Sequence, residues 1–163
     1  MATRKIAYGA ATSFSSSANT QSLANNAAKP LGKVSNNSTL AIDYTFSLEF
    51  KLGSSGVSAT GTVEIWLIES TDDSDYTDGI NPDSSSDIAS SIKNARLLSI
   101  LTANANSQVI KWVQGLVGAG MPAPVTACPQ YWAVIVYNKS GATMSATAGD
   151  HDSKYQAITE TVA

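Results

Sequence analysis

The 163-residue chain is 43% hydrophobic but only 14% charged, with a net charge of −3 and a pI near 4.9, whereas charged residues make up about a quarter of an ordinary soluble domain. Its ten Lys and Arg are scattered, which argues against direct nucleic-acid binding, and no stretch approaches the roughly 20 apolar residues of a membrane-spanning helix. A single cysteine, Cys128, excludes an intrachain disulfide framework and a cysteine zinc site, and is expected as a small buried apolar residue.

The length suits one domain that can bury a core without staples. The opening Met1 to Tyr8 has two positive charges but no apolar run behind them, so no secretory signal is expected. Residues 1–37 read as an N-terminal arm. Ile6, Tyr8 and Phe14 alternate with small residues and suit one short edge strand. The following Ser13 to Asn26 is rich in Ser, Asn and Ala, with Leu23 its only large apolar side chain. Such a segment makes no core of its own. It is either a loosely ordered tail or an arm that orders against a neighbouring subunit.

Residues 38–163 read as a β-sandwich domain. From Leu40 to Leu52, Tyr44, Phe46, Leu48, Phe50 and Leu52 alternate with Asp43, Thr45, Ser47, Glu49 and Lys51. This is the period-2 pattern of a strand with one dry and one wet face. After the Gly53-Ser-Ser-Gly56 turn, Thr62 to Glu69 alternates again, and the pair reads as an antiparallel hairpin. Ser70 to Ser91 is a long loop. Seven of the 13 acids fall between Glu69 and Asp87, and a loop of this length inside a compact domain is usually functional or mobile.

Ala95 to Thr102 and Gln108 to Val117 are further strands. A helix competes for the second, since Ile110, Val113, Leu116 and Val117 also fit helical spacing. Gly118 to Pro129 carries three prolines and reads as a loop. Tyr131 to Tyr137 is apolar or aromatic throughout, the mark of a strand covered on both faces. A short strand at Ala142 to Ala146 and a last one at Lys154 to Val162 complete about eight. The pattern predicts an all-β, two-sheet antiparallel sandwich, with the jelly roll as its leading topology.

Asp72-Asp73-Ser74-Asp75-Tyr76-Thr77-Asp78-Gly79 invites calcium, which takes six to eight oxygens. The spacing fails the EF-hand rule, and a solvated acidic loop with a turn at Asp78-Gly79 is the simpler reading. The only histidine, His151, lies between Asp150 and Asp152, but no serine sits in a nucleophile elbow. Glu64 is expected to face solvent. Trp66, Trp112 and Trp132 lie in strands and are expected in the core rather than as a sugar platform. The chain shows no catalytic residue, metal site or cofactor motif, and is expected not to be an enzyme.

The segment Trp132-Ala-Val-Ile-Val-Tyr-Asn-Lys-Ser-Gly-Ala-Thr-Met144 with Tyr155-Gln-Ala157 resembles the C-terminal end of small virion structural proteins of tailed bacteriophages, the head decoration or cement proteins. Tyr76-Thr-Asp-Gly79 after Val63-Glu-Ile-Trp-Leu67 is similar to a strand and Asp-Gly turn of that family. Ser22-Leu-Ala-Asn25 and Asn36-Asn-Ser38 resemble its N-terminal landmarks. Asp72-Asp73-Ser74 and the long Gly118 to Pro129 loop depart from its pattern. The resemblance implies a particle component on the bacteriophage capsid surface, made in the bacterial host cytoplasm. Its partners would be the major capsid protein and itself, as a homotrimer, with no direct nucleic-acid or membrane contact. Ile6, Tyr8, Phe14, Leu23, Tyr76 and Asp78 are then the candidate contact residues. The alternative is a receptor- or carbohydrate-binding module at a tail or capsid surface, using loops 70–91 and 118–129.

Overall fold

The all-apolar run after Gln130 forms the centre of one of two antiparallel sheets. The computed structural model describes residues 4–36, 41–114 and 128–162. Its strands are β1 (Arg4–Tyr8), β2 (Thr12–Ser13), β3 (Ala27–Pro30), β4 (Val34–Ser35), β5 (Asp43–Lys51), β6 (Thr62–Ser70), β7 (Arg96–Thr102), β8 (Val109–Gln114), β9 (Tyr131–Lys139) and β10 (Asp152–Val162). The described helical pieces are short 3-10 turns.

In the first sheet the order is β1-β10-β5-β8, with β2 also on β10. In the second it is β3-β9-β6-β7, with β4 also on β9. Counting β1 with β2, and β3 with β4, as single interrupted strands gives eight. Their orders are then 1-8-3-6 and 2-7-4-5, so the first strand lies beside the last and the second beside the seventh. The expected β-sandwich is the observed architecture.

The two inner faces follow the sequence parity. Tyr44, Phe46, Leu48 and Phe50 of β5 face Val63, Ile65 and Leu67 of β6 and Trp132, Val134 and Val136 of β9 across one core. Trp132 is its centre. Its ring makes edge or tilted contacts with Phe14, Tyr44, Phe46 and Tyr155 at 5.3–6.1 Å, geometry that suits aromatic quadrupoles. Each such large side chain contributes about 1.5–3 kcal/mol on full burial.

Three expectations change. The hairpin of β5 and β6 does not form, because the two strands lie in different sheets. The intervening segment instead crosses the end of the sandwich, where Gly53 N–H bonds the Thr143 carbonyl at 3.0 Å and Ser58 N–H the Ser140 carbonyl at 2.7 Å. Gly61 belongs to this crossing: a side chain there would collide with the Ala103 and Ser140 carbonyl oxygens. The expected strand at 142–146 is a single bridge, Met144 to Leu52.

The expected arm is part of the sandwich. β1 and β2 edge the first sheet, β3 and β4 edge the second, and Phe14, Leu23, Leu31 and Val34 are buried in the main core. These four side chains fill separate gaps, so they follow no period, and the polar residues between them make the segment read as external. The expected Gly118 to Pro129 loop falls outside the described residues except for its last two.

Candidate functional site

Strands β6 and β9 also have apolar residues on their outer parity, namely Ile68, Ala133 and Ile135. Residues 71–95 fold back over them. Tyr76, Ile80, Ile88 and Ala95 from this segment join Ala28, Tyr131 and those three in a second buried cluster. This explains why Tyr131 to Val136 is buried on both faces. The acid-rich loop is therefore a third layer, not a solvated excursion.

An irregular layer has no ladder to satisfy its backbone N–H groups, so other acceptors must do so. The aspartates supply them. Asp72 Oδ1 accepts from the N–H groups of Ser74 and Asp75 at 2.9 and 3.0 Å, and from the Ser70 hydroxyl at 3.0 Å. Those bonds hold its carboxyl far below the usual range. Asp78 Oδ2 accepts from Lys93, Asn94 and Ala95 N–H at 2.8, 2.8 and 3.0 Å, and its Oδ1 accepts from the Asn94 amide at 2.7 Å. Asp87 accepts from Ala28 and Ala89 N–H. Asp83 accepts from Lys33 N–H at 3.1 Å.

Asp73 takes the Lys33 ammonium at 2.6 Å and the Tyr76 hydroxyl at 2.9 Å. The Lys33 bond, against a smaller effect of burial, lowers the Asp73 carboxyl. Burial and then Asp73 push the Tyr76 phenol up. A shallow cleft of about 190 Å³ lies here, lined by Lys33, Asp73, Tyr76, Ile80 and Asp83 among others. Its cation is internal. Among the described residues no three His, Cys, Asp or Glu side chains gather where they could hold a metal ion.

His151 also faces away from chemistry. Its Nε2 lies 2.8 Å from the Ser145 carbonyl oxygen, and a carbonyl can only accept, so Nε2 carries the proton and Nδ1 the lone pair. The Ser145 hydroxyl donates instead to Asp150 at 2.6 Å, and Lys51 pairs with Asp150 at 3.3 Å. Histidine, hydroxyl and carboxylate are thus neighbours wired in an order that activates no nucleophile. Glu64, expected in solvent, is mostly covered: Lys139 pairs with it at 2.8 Å and the Trp66 indole N–H donates to it at 3.1 Å. Of the tryptophans, Trp132 is in the main core, Trp112 is partly buried against it, and Trp66 is partly buried against the second cluster. Cys128 is partly covered, and burial, with lesser effects from Asp43 and Glu69, pushes its thiol up to about 12.

Of the expected contact residues, Phe14, Leu23 and Tyr76 are buried within this chain. Asp78 is occupied by the four donors above. Only Ile6 and Tyr8, each 66% exposed on β1, present apolar surface to a partner. Among the described residues the other large exposed apolar side chains lie elsewhere: Ile42 just before β5, Leu97 and Ile100 on β7, and Val109 and Val113 on β8. The sequence signal for β7 was present but unused. From Leu97 to Thr102 it has no charge on either parity, and the loop that covers β6 and β9 ends where β7 begins.

No protein-family model matches the chain, and no curated protein matches it significantly.

Proposed function

We propose that this chain is a structural component of a tailed-bacteriophage particle, in its most specific form a head decoration protein that binds the assembled major capsid protein and stabilises the shell. The observation that carries the reading is the use of the acidic loop: its aspartates cap backbone and hold a third layer against the sandwich, so the richest polar cluster in the sequence is scaffold. Apolar side chains on β1, β7 and β8 remain for a partner. The motif resemblance around Trp132 to Met144 supplies the particle context. We read the nested strand order as that of a jelly roll.

A decoration protein works by linkage. Binding only the assembled lattice stabilises that state, by about 2.7 kcal/mol per site when the free protein is a hundredfold above its dissociation constant. The exposed edge of β1 with Ile6 and Tyr8 is the part of the N-terminal region available for the contact. The test is mass spectrometry and imaging of purified particles, with heat release of the genome as the functional readout. Density for this sandwich on the shell, and shells that open at lower temperature without it, are expected. Absence of the chain from purified particles overturns the proposal.

A further inference from the structure

Asp78-Gly79 is the one Asp-Gly or Asn-Gly step in the chain. Glycine puts no side chain beside its own nitrogen, so at such a step the backbone nitrogen reaches the preceding carboxyl most readily. The reaction needs no other reagent. The Gly79 nitrogen attacks Asp78 Cγ, the N–Cγ bond forms, and the carboxyl hydroxyl leaves with the amide hydrogen as water. Water then adds back to one of the two ring carbonyls. Opening at Cγ restores aspartate. Opening at the backbone carbonyl leaves isoaspartate, with the main chain running through Cβ and Cγ.

The folded chain opposes each requirement. The Gly79 N–H is committed to the Tyr76 carbonyl oxygen at 2.8 Å. Ring closure needs that nitrogen to eclipse Asp78 Cβ, but Asp78 is held at φ 62° and ψ 12°, which turns the nitrogen away. Both carboxylate oxygens are engaged, Oδ2 by the N–H groups of Lys93, Asn94 and Ala95, and Oδ1 by the Asn94 amide. Four donors favour the anion, which cannot lose its oxygen as water. No side chain shields the step in any other way. Gly79 is exposed, and a Cβ on it would meet nothing within 4 Å. The protection is therefore the hydrogen bonds themselves, and it lasts only while residues 93–95 stay docked on Asp78.

We propose that Asp78-Gly79 is a self-modification site gated by the third layer: it is inert while residues 93–95 cap Asp78 and converts to isoaspartate when that layer lifts. Conversion makes a lasting record of the opening. In isoaspartate the free carboxylate sits directly on Cα, one carbon short of its former reach, and the main chain is one methylene longer. The three N–H groups lose their acceptor, so the loop no longer closes as before. Local openings cost less than global unfolding, so the covering loop is marked in chains whose sandwich stays intact. This inference is independent of the particle reading.

The test is incubation of the full chain in mildly acidic buffer, with and without denaturing urea, followed by peptide mapping and isoaspartyl methyltransferase labelling. Isoaspartate at Asp78 is expected to form more slowly in the folded chain than in urea by about tenfold or more, the factor set by an opening cost of about 1.4 kcal/mol. Asn94→Ala removes the Oδ1 donor, so it should speed the reaction several-fold in buffer and leave the rate in urea unchanged. A readout that needs no variant is amide exchange of the isoaspartyl form, separated by chromatography. It should keep the circular dichroism of the sandwich and lose protection at Lys93 to Ala95. Equal rates in buffer and urea, no conversion even in urea, or an isoaspartyl chain still protected at residues 93–95 each overturn the proposal. So does an Asn94→Ala rate that matches the wild type in buffer or differs from it in urea.

Discussion

The side-chain amide of Asn138 donates to the Leu23 carbonyl oxygen at 2.8 Å, joining the end of β9 to a segment 115 residues earlier in the chain. The same nitrogen donates to Ala142 O at 2.7 Å and Ala24 O at 3.2 Å, while its oxygen accepts Ser140 N–H at 3.1 Å. Asn138 is fully buried, so no water can replace these partners. Asn138→Asp would point a carboxylate at three carbonyl oxygens. A buried polar group left unsatisfied costs about 1–3 kcal/mol, and an unpaired buried charge more. The expected loss at neutral pH is about 3 kcal/mol or more, read as a lower urea midpoint with an unchanged slope. A loss under about 1 kcal/mol would show that the amide is dispensable.

Asp78 fastens the far end of the covering loop. Its backbone is left-handed, with φ of 62°, a conformation that Asp and Asn tolerate better than Ala. Asp78→Ala therefore loses the acceptors and adds backbone strain, whereas Asp78→Asn keeps one acceptor and the favoured conformation. We expect Ala to cost about 1–2 kcal/mol, the range of a lost cap, and Asn less. Partial desolvation works to raise this carboxyl, but the N–H groups of Lys93, Asn94 and Ala95 with the Asn94 amide outweigh it and hold it low. A depressed carboxyl stabilises above its unfolded value near 3.8 and loses that contribution as pH falls below it. The gap in melting temperature between wild type and Asp78→Ala should narrow in acid. Equal melting temperatures of Ala and Asn would remove the backbone part of this account.

The strands of the sandwich were legible because their signal is local. The alternation from Tyr44 to Leu52 fixes which face is dry, and the unbroken run from Tyr131 to Val136 states that both are. Neither pattern says which strands are neighbours. The Gly53 to Gly61 segment reads equally as a hairpin loop or a crossing between sheets, and only the pairing of β5 with β10, about a hundred residues later, decides. The third layer was hidden for another reason. Tyr76, Ile80 and Ile88 are isolated among aspartates, and composition shows the charge but not that Asp72, Asp78, Asp83 and Asp87 cap backbone N–H groups. Phe14, Leu23, Leu31 and Val34 escaped in the same way.

That last group gives a truncation test. Removing residues 1–9 takes away β1, an exposed edge that begins the first sheet, and leaves Phe14 and Leu23 in place. The shortened chain should fold, with a loss of a few degrees at most. Removing residues 1–37 takes four large side chains out of the main core and strips two of the three carbonyl acceptors from the Asn138 amide. Losses of about 2–5 kcal/mol for each large core truncation, taken over four side chains, are as large as the whole 5–15 kcal/mol stability of a domain. That chain should fail to fold, by circular dichroism and proteolysis. A cooperative thermal transition in the longer truncation would return this segment to the status of an arm.

His151 predicts a pH dependence of its own. Burial lowers its pKa below 6.5, against smaller opposing effects of the Ser145 carbonyl and Asp150. Its Nδ1 is buried without a hydrogen-bond partner, so protonation there places a donor where nothing accepts. The charged groups of the cluster are Asp150, already bonded to the Ser145 hydroxyl, and Lys51. Because the folded-state pKa lies below the unfolded one, the neutral ring stabilises fully above pH 6.5, and that stability is lost as pH falls from there through the lowered value. His151→Gln keeps a donor for the Ser145 carbonyl and cannot titrate. Between about pH 7 and 5 the wild type should therefore lose more stability than the variant, with carboxylate effects common to both. The Ser145 carbonyl also accepts Ser22 N–H, so the loosening should reach the segment before β3 and appear as faster amide exchange at Ser22. Parallel pH profiles for wild type and His151→Gln would show that the histidine is uncoupled from folding.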